Sequence, residues 1–321
     1  MTPAERALWL RVQRRAAGLS PAAAATLFRA YAILRDEMSE VELAALVAEG
    51  PSAVTSALLA PDILDRAFTP FRSTLRRAIA GAVPYFARDL PNMGRVRGQV
   101  VVAFDFLNPK VIEAVRTLET RVMATLTTEL RETVRAFAEN GLRDGVNPRV
   151  VARQLRGVIG LAPTQEVAVR NLRRELETGQ YATAARRQLI DGRFRLAKLA
   201  DLPAAQRTAR IETIVTRYQS AYRDFHAETI ARTATLDSLK LGQRLAWQSA
   251  ADGGFINGPL MKRWSGVLDE RERPEHVAME GETVPADDLF SNGEMIPGDS
   301  TYNCRCVPIY FPAAPSPETG I

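Results

Sequence analysis

The sequence predicts a mainly α-helical protein, with an elongated helical body followed by a small, turn-rich C-terminal α+β module. Two observations carry this prediction. Up to about residue 250, apolar residues recur every three or four positions, which is the period of an amphipathic helix. Beyond that point glycine and proline interrupt the chain every few residues and leave room only for short strands and turns. We therefore expect an N-terminal helical adaptor at 1–104, a long-helix body at 105–250 and the C-terminal module at 251–321.

The first 104 residues have the least regular pattern. Apolar helical segments are predicted around residues 8–12 and 22–34, and no catalytic motif follows them. Proline lacks a backbone donor and usually interrupts a helix, so we expect five prolines to break this region into pieces. They are Pro51, Pro61, Pro70, Pro84 and Pro91.

The body begins with a long amphipathic helix predicted over residues 108–141. Asn108 is suited to accept hydrogen bonds from the first free backbone amides, and Pro109 fits the first helical position. Gly141 tolerates the left-handed conformation that ends many helices. The same start signal recurs at Asn147 and opens a short helix.

Further helices are predicted over 164–176 and from about 203 to 250. Gly160 and Pro163 separate the first of these from the short helix before it. In the C-terminal module, short strands are predicted over 261–267 and 306–311. Pro308 interrupts the second strand, which places that strand at a sheet edge because proline cannot donate to a neighbouring strand.

The charge is unevenly distributed along the 321 residues. Residues 251–321 contain 5 Lys and Arg against 12 Asp and Glu, so the net charge of +5 conceals a strongly basic remainder. Such a basic body favours sequence-independent contact with a polyanion, although solvated helix faces explain the same pattern. The candidate phosphate contacts are Arg153, Arg156, Arg170, Arg173, Arg174, Arg186 and Arg187.

No uninterrupted apolar run approaches the length of about 18 residues that spans a bilayer, and no secretory signal is evident. We therefore expect no transmembrane segment and synthesis in a cytoplasm. Two cysteines are too few for a disulfide framework.

Only four histidine and cysteine residues occur in the chain: His226, His276, Cys304 and Cys306. Two thiolates one residue apart are suited to hold one Zn²⁺, with His276 as the third ligand and Asp269 or His226 as the fourth, in a closed structural site. The alternative interpretation treats the cysteines as small buried apolar residues and His276 as a hydrogen-bonded turn residue. The sequence is compatible with both interpretations.

The order of residues around the cysteines resembles the C-terminal signature of the phage Mu F-like minor head (head morphogenesis) proteins. In that family a tryptophan precedes a D-x-R-x-R-x-x-H element, a glycine and a phenylalanine follow, and the domain closes with C-R-C. The matching positions are Trp264, Asp269, Arg271, Arg273, His276, Gly281, Phe290, Cys304, Arg305 and Cys306.

The resemblance extends upstream through Arg232 and Thr233 and covers residues 105–312. It is specific only after residue 227. The family helix often reads Arg-Thr-Glu, whereas this chain has Ala234 after the threonine. Any role of that carboxylate is therefore absent here or moved to Glu228 or Asp237.

The resemblance implies a minor capsid protein of a tailed phage or prophage-like particle, made in the host bacterial cytoplasm. Such a protein lies inside the head near the portal and assists head assembly, DNA packaging or ejection. Its expected partners are the portal protein, capsid or scaffold proteins and packaged double-stranded DNA, with no membrane.

Two other functions compete with this one. Asp269, His276 and a nearby thiol are residue types that serve metal-dependent or thiol-dependent hydrolases and toxin-like enzymes. Against an enzyme, the chain lacks a serine nucleophile elbow and a glycine-rich phosphate loop. The second competitor is a helix-turn-helix DNA-binding unit over residues 147–176, or a nonspecific DNA-binding structural protein.

Overall fold

The computed structural model describes residues 2–90 and 107–313, and it confirms a mainly helical fold with a small antiparallel sheet near the C-terminus. The helices in these ranges are α1 (Pro3–Asp36), α2 (Glu40–Glu49), α3 (Pro51–Leu58), α4 (Pro61–Phe86), α5 (Pro109–Arg143), α6 (Pro148–Val158), α7 (Pro163–Glu177), α8 (Tyr181–Ala184), α9 (Ala204–Asp252) and α10 (Pro274–Ala278). The strands are β1 (Leu260–Ser265), β2 (Thr283–Pro285) and β3 (Val307–Pro312).

The contacts within the chain define two compact units. Unit 1 combines Met1–Ala24, Phe71–Val122 and Thr229–Ile321, and unit 2 combines Ala25–Pro70 and Met123–Glu228. Helices α1, α4, α5 and α9 each contribute residues to both units. The three consecutive parts at 1–104, 105–250 and 251–321 stay a prediction about domain organisation.

Helix α1 joins the two segments that the sequence predicted separately. By length and composition alone it is able to cross a membrane, although charged residues interrupt its apolar segments. A buried core helix passes the same test, and Val12 and Leu27 of α1 are fully buried. Within unit 1, Arg15 of the same helix donates to the backbone carbonyl of Gly81 at 2.9 Å. The absence of a membrane partner stays a prediction.

The prolines of the N-terminal region do not all break helices. Pro51 and Pro61 occupy first helical positions, but Pro70 and Pro84 lie inside the continuous helix α4, so the prediction of a break was wrong at these two sites. The fully buried rings of Phe68 and Phe71 flank the first of them. Burial of such rings stabilises the continuous helix against the lost hydrogen bond and the steric clash that each proline introduces. Pro91 lies outside the described residues.

The capping predictions for α5 and α6 are confirmed. The side-chain oxygens of Asn108 and Asn147 each accept a hydrogen bond at 2.9 Å from the backbone amide two residues later. Gly141, in contrast, lies inside α5 and does not end it. A Cβ at Gly141 would approach the Val151 side chain to 2.7 Å, so the glycine permits close packing against α6.

Unit 1 has a core built on the C-terminal half of α9. Gly242 of that helix packs on α4, where a Cβ would come within 2.4 Å of the Ala82 side chain. Because glycine has no side chain, the two helices approach each other closely at this point. Buried residues of this core include Val12, Ile79, Phe86, Leu118, Leu239, Leu245 and Val307.

Unit 2 has a helical core of its own. Tyr31 and Phe68 pack edge to face there, with ring centroids 6.3 Å apart. Gly160 has a positive φ of 90° and lies so close to the Tyr31 ring that a Cβ would approach it to 2.8 Å. Other buried residues are Leu27, Leu34, Val134, Leu155, Leu172 and Tyr218.

The sheet has the strand order β2-β1-β3, and both strand pairs are antiparallel. Lys262 of β1 pairs with Val284 of β2, while Trp264 pairs with Pro308 of β3. Strand β3 is therefore an edge strand, as its proline predicted. This sheet and the turns around it position the candidate site.

Candidate metal centre

Strand β1 and the short helix α10 place an aromatic pair at the centre of the C-terminal module. Trp264, near the end of β1, is fully buried. Its ring packs edge to face against His276 of α10 at 5.3 Å and against Phe290 at 5.2 Å. Gly281 has a φ of 81°, and its amide donates to the Trp264 carbonyl at 3.0 Å. These contacts fix the His276 ring in a buried position.

A tight turn before β3 carries the two cysteines. Asn303 adopts a left-handed conformation with φ 58°, which asparagine tolerates better than most residues. Its amide donates to the Thr233 hydroxyl on α9 at 3.0 Å. At the other end of the turn, the Arg305 carbonyl accepts a hydrogen bond of 2.9 Å from the Trp9 indole. Helices α9 and α1 therefore hold the cysteine turn in place.

The structure brings His276, Cys304 and Cys306 together, as the sequence predicted. The Nδ1 atom of His276 lies 3.5 Å from each of the two Sγ atoms. The side chains are nearly inaccessible, with exposures of 3%, 4% and 1% in that order. Tetrahedral zinc bonds of about 2.3 Å to sulfur and about 2.0 Å to nitrogen would hold such atoms about 3.5 Å apart. The observed separations therefore suit a shared zinc ion.

A carboxylate that the sequence analysis missed adjoins this cluster. The Cys306 thiol donates to Oε1 of Glu272 at 2.8 Å, and Oε2 of Glu272 accepts from the Leu268 amide at 2.6 Å. In the sequence Glu272 was one of several charged residues between Asp269 and His276. Glu272 lies two residues after Glu270 in a turn that returns toward β1, and the sequence around it does not indicate a contact with Cys306.

The thiols polarise one another inside the cluster. The interaction with Cys306, together with the positive charge of Lys240, lowers the pKa of Cys304 to about 5 against the opposing effect of burial. The interaction with Cys304 and burial raise the pKa of Cys306. Lys240 is itself fully buried and donates to the Pro297 carbonyl at 2.6 Å. The two thiols therefore lie in a site that also contains a buried cation.

Asp269 does not belong to the cluster, although the sequence suggested it as a fourth ligand. Its carboxylate forms a two-pronged ion pair with Arg305, with one contact at 2.7 Å. That pairing lowers the pKa of Asp269 to about 2. The amide of the exposed Arg271 donates to the same carboxylate at 3.0 Å, and Arg273 donates to the Tyr302 carbonyl at 2.9 Å. These signature residues hold the turns that carry the cluster.

His226, the other suggested fourth ligand, has different partners in unit 2. Its Nδ1 lies 3.1 Å from the Gly160 carbonyl oxygen, and its Nε2 lies 3.1 Å from a carboxylate oxygen of Glu129. Both ring nitrogens are engaged by these groups. His226 is therefore a buried, hydrogen-bonded core residue.

The helix that precedes the module contributes further signature residues. Arg232 donates to the Gln13 side chain at 3.4 Å, and Thr233 accepts from the cysteine turn as described. Glu228 is exposed, whereas Asp237 is buried and lies 3.2 Å from Arg121. Burial raises the pKa of Asp237 to about 7.

The arginines proposed as DNA contacts are mostly engaged within unit 2. Five of the seven contact a carboxylate or a backbone carbonyl group: Arg153 with Glu40, Arg156 with Met38, Arg170 with Glu166, Arg173 with Glu212 and Arg187 with Glu175. Arg174 donates to Asn171 at 2.9 Å, and Arg186 is exposed. Carboxylates neutralise much of this basic face, which favours the interpretation as solvated helix surface.

Comparison with known proteins gives one family. No curated protein and no solved structure matches the chain. The family described as Phage Mu protein F like protein matches residues 132–309, which is more than half of the 321 residues. The matched range runs from α5 to β3 and contains all three residues of the His276, Cys304 and Cys306 cluster. The chain therefore belongs to the phage Mu protein F-like family.

Proposed function

We propose that this chain is a minor head protein of a tailed phage or prophage-like particle. In this proposal it docks near the portal inside the head and assists head assembly, DNA packaging or ejection. The observation that carries the proposal is the family match over residues 132–309, which includes the signature residues of the C-terminal module.

The role we propose is structural. Every ligand-type side chain of the cluster is buried, and the signature residues around it bond to backbone groups of neighbouring turns. A thiol-dependent hydrolase needs a nucleophile that its substrate can reach, whereas Cys304 is 4% exposed. Closed, buried sites of this kind are typical of structural zinc.

The His276, Cys304 and Cys306 cluster is, in this proposal, a zinc centre that stabilises the C-terminal module. Soft thiolate and imidazole ligands select zinc over hard cations such as Mg²⁺. The apolar cluster around the cysteines is small, with Trp264, Met279 and Phe290 as its other buried members. Small cores of this size commonly depend on a metal or disulfide for stability.

Packaged DNA is the second proposed partner. Exposed ion pairs such as Arg153 with Glu40 contribute little free energy, so phosphates are able to replace the carboxylates at small cost. Such binding is sequence-independent and weakens steeply as salt concentration rises.

Co-purification with the portal tests the main proposal. The tagged full chain is co-expressed with the portal protein encoded in the same phage genome, and the portal ring is isolated by size. We expect the chain to elute with the ring, and a portal protein from an unrelated phage to leave it behind. A chain that elutes alone in both experiments contradicts docking at the portal.

A further inference from the structure

We propose that Glu272 is the fourth zinc ligand and that the centre is a closed site of two cysteines, one histidine and one glutamate. This inference rests on the zinc centre proposed above. It replaces both fourth ligands that the sequence suggested, Asp269 and His226.

The first argument is distance. Oε1 of Glu272 lies 2.8 Å from Sγ of Cys306, which itself lies 3.5 Å from Nδ1 of His276. In a tetrahedral zinc site, sulfur and carboxylate oxygen ligands lie about 3.6 Å apart. Binding of one metal ion by both groups therefore needs loss of the thiol proton and a shift of the Glu272 side chain toward His276 and Cys304, which form the three-residue cluster with Cys306.

The second argument is that the backbone holds this carboxylate in place. Its other oxygen accepts from the Leu268 amide at 2.6 Å, and the Glu272 amide donates to the Asp269 carbonyl at 2.9 Å. Gly266 of the adjoining turn lies beneath the carboxylate, where a Cβ would come within 2.5 Å of Oε1. A ligand carboxylate fixed by hydrogen bonds through its second oxygen is the usual arrangement around metal ions.

The third argument is charge. Zinc with two thiolates, one carboxylate and one neutral imidazole has a net charge of −1, which is costly to bury alone. The fully buried Lys240, whose Nζ also lies 3.9 Å from Oδ1 of Asp237, provides a compensating charge close by. A Cβ at Gly298 would lie 2.6 Å from Sγ of Cys304 and 3.3 Å from Nζ of Lys240, so both atoms adjoin the same backbone position. The ligand set that includes Glu272 is therefore matched by a cation already present.

Metal affinity of two carboxylate variants tests the assignment. The full chain and its E272Q and D269N variants are purified, stripped of metal under reducing conditions and titrated with Zn²⁺ against a chromophoric chelator. Asp269 is the matched control because it is a carboxylate of the same turn that pairs with Arg305. We expect E272Q to weaken zinc binding by at least about tenfold and D269N to weaken it by less.

Cobalt(II) spectra and a replacement ligand make the result specific. The wild-type chain should give the intense visible bands of tetrahedral Co²⁺, and E272Q should lose intensity. The E272H variant should recover much of the zinc affinity, because imidazole is also a zinc ligand. Helical circular dichroism of the zinc-free proteins serves as the folding control.

The outcomes distinguish failure of the Glu272 assignment from failure of the zinc centre. Zinc binding by the wild type with unchanged affinity in E272Q overturns the assignment of Glu272 and leaves the zinc centre standing. A larger loss in D269N than in E272Q also overturns it. A wild-type chain that binds neither metal overturns the zinc centre and this inference together.

Discussion

Alanine at Gly298 should disrupt the cysteine cluster, and alanine at Gly293 provides a matched control in the same loop. Both glycines have left-handed backbones, with φ of 87° and 83°. A Cβ at Gly298 would lie 2.4 Å from Cβ and 2.6 Å from Sγ of Cys304, whereas a Cβ at Gly293 meets nothing within 4 Å. The two variants therefore share the backbone cost and differ in the steric overlap.

The expected losses of stability follow from the backbone cost and the steric overlap. A left-handed alanine costs about 1–2 kcal/mol, which applies to both variants. Overlap with a packed neighbour adds about 1–3 kcal/mol at Gly298 alone. We expect G298A to lose about 2–5 kcal/mol of stability in total and also to weaken zinc binding, while G293A retains its zinc affinity.

Urea denaturation followed by tryptophan fluorescence measures this difference. All three tryptophans, Trp9, Trp247 and Trp264, lie in unit 1 together with the cluster, so the signal reports on the relevant unit. Equal midpoints and equal zinc affinities for G298A and G293A would refute the proposed packing of Cys304 against this loop.

Three further predictions concern helix packing, a buried acid and DNA. Helix propensity favours alanine over glycine by about 1 kcal/mol, so G18A should stabilise the chain because a Cβ at this position meets nothing within 4 Å. G242A should destabilise the chain because its Cβ would overlap with Ala82. Equal urea midpoints for the two variants would count against the close packing of α9 on α4. Burial raises the pKa of Asp237 from 3.8 to about 7, so deprotonation of this acid should lower the stability of the wild type relative to D237N as pH rises from 4 to 8. The relative loss should reach at most about 4 kcal/mol in urea denaturation, and a stability difference independent of pH contradicts the prediction. The full chain should bind duplex DNA without sequence preference and lose affinity steeply with salt in a gel-shift titration, and salt-independent binding would exclude phosphate contact.

Local signals explain how much of the fold could be predicted from the sequence. Asn108 and Asn147 precede prolines at the starts of apolar periodic segments, and both cap helices at those positions. Pro70 and Pro84 carry the opposite local signal, yet they lie within α4. Their outcome depends on rings such as Phe68, which is fully buried and packs against the distant Tyr31, and a proline's local preference does not include that energy.

The candidate site likewise contains residues that the sequence predicts and one residue that only the structure identifies. His276, Cys304 and Cys306 could be predicted because these residue types are rare in the chain and because the C-R-C spacing is distinctive. Glu272 is one of 37 acidic residues, and only the return of the chain from β1 to the cysteine turn places it beside Cys306. Asp269 had the same ligand chemistry, but Arg305 within the C-R-C element neutralises it.

Quantitative mass spectrometry of purified phage heads tests the central claim most directly. Heads are isolated from the wild-type phage and from a mutant whose heads assemble without the portal protein, and peptides of this chain are counted relative to the major capsid protein. A minor head protein docked at the portal should be present in few copies in the wild-type heads and depleted from the heads that lack the portal. Peptides of this chain that stay in the soluble fraction and are absent from wild-type heads would contradict the claim.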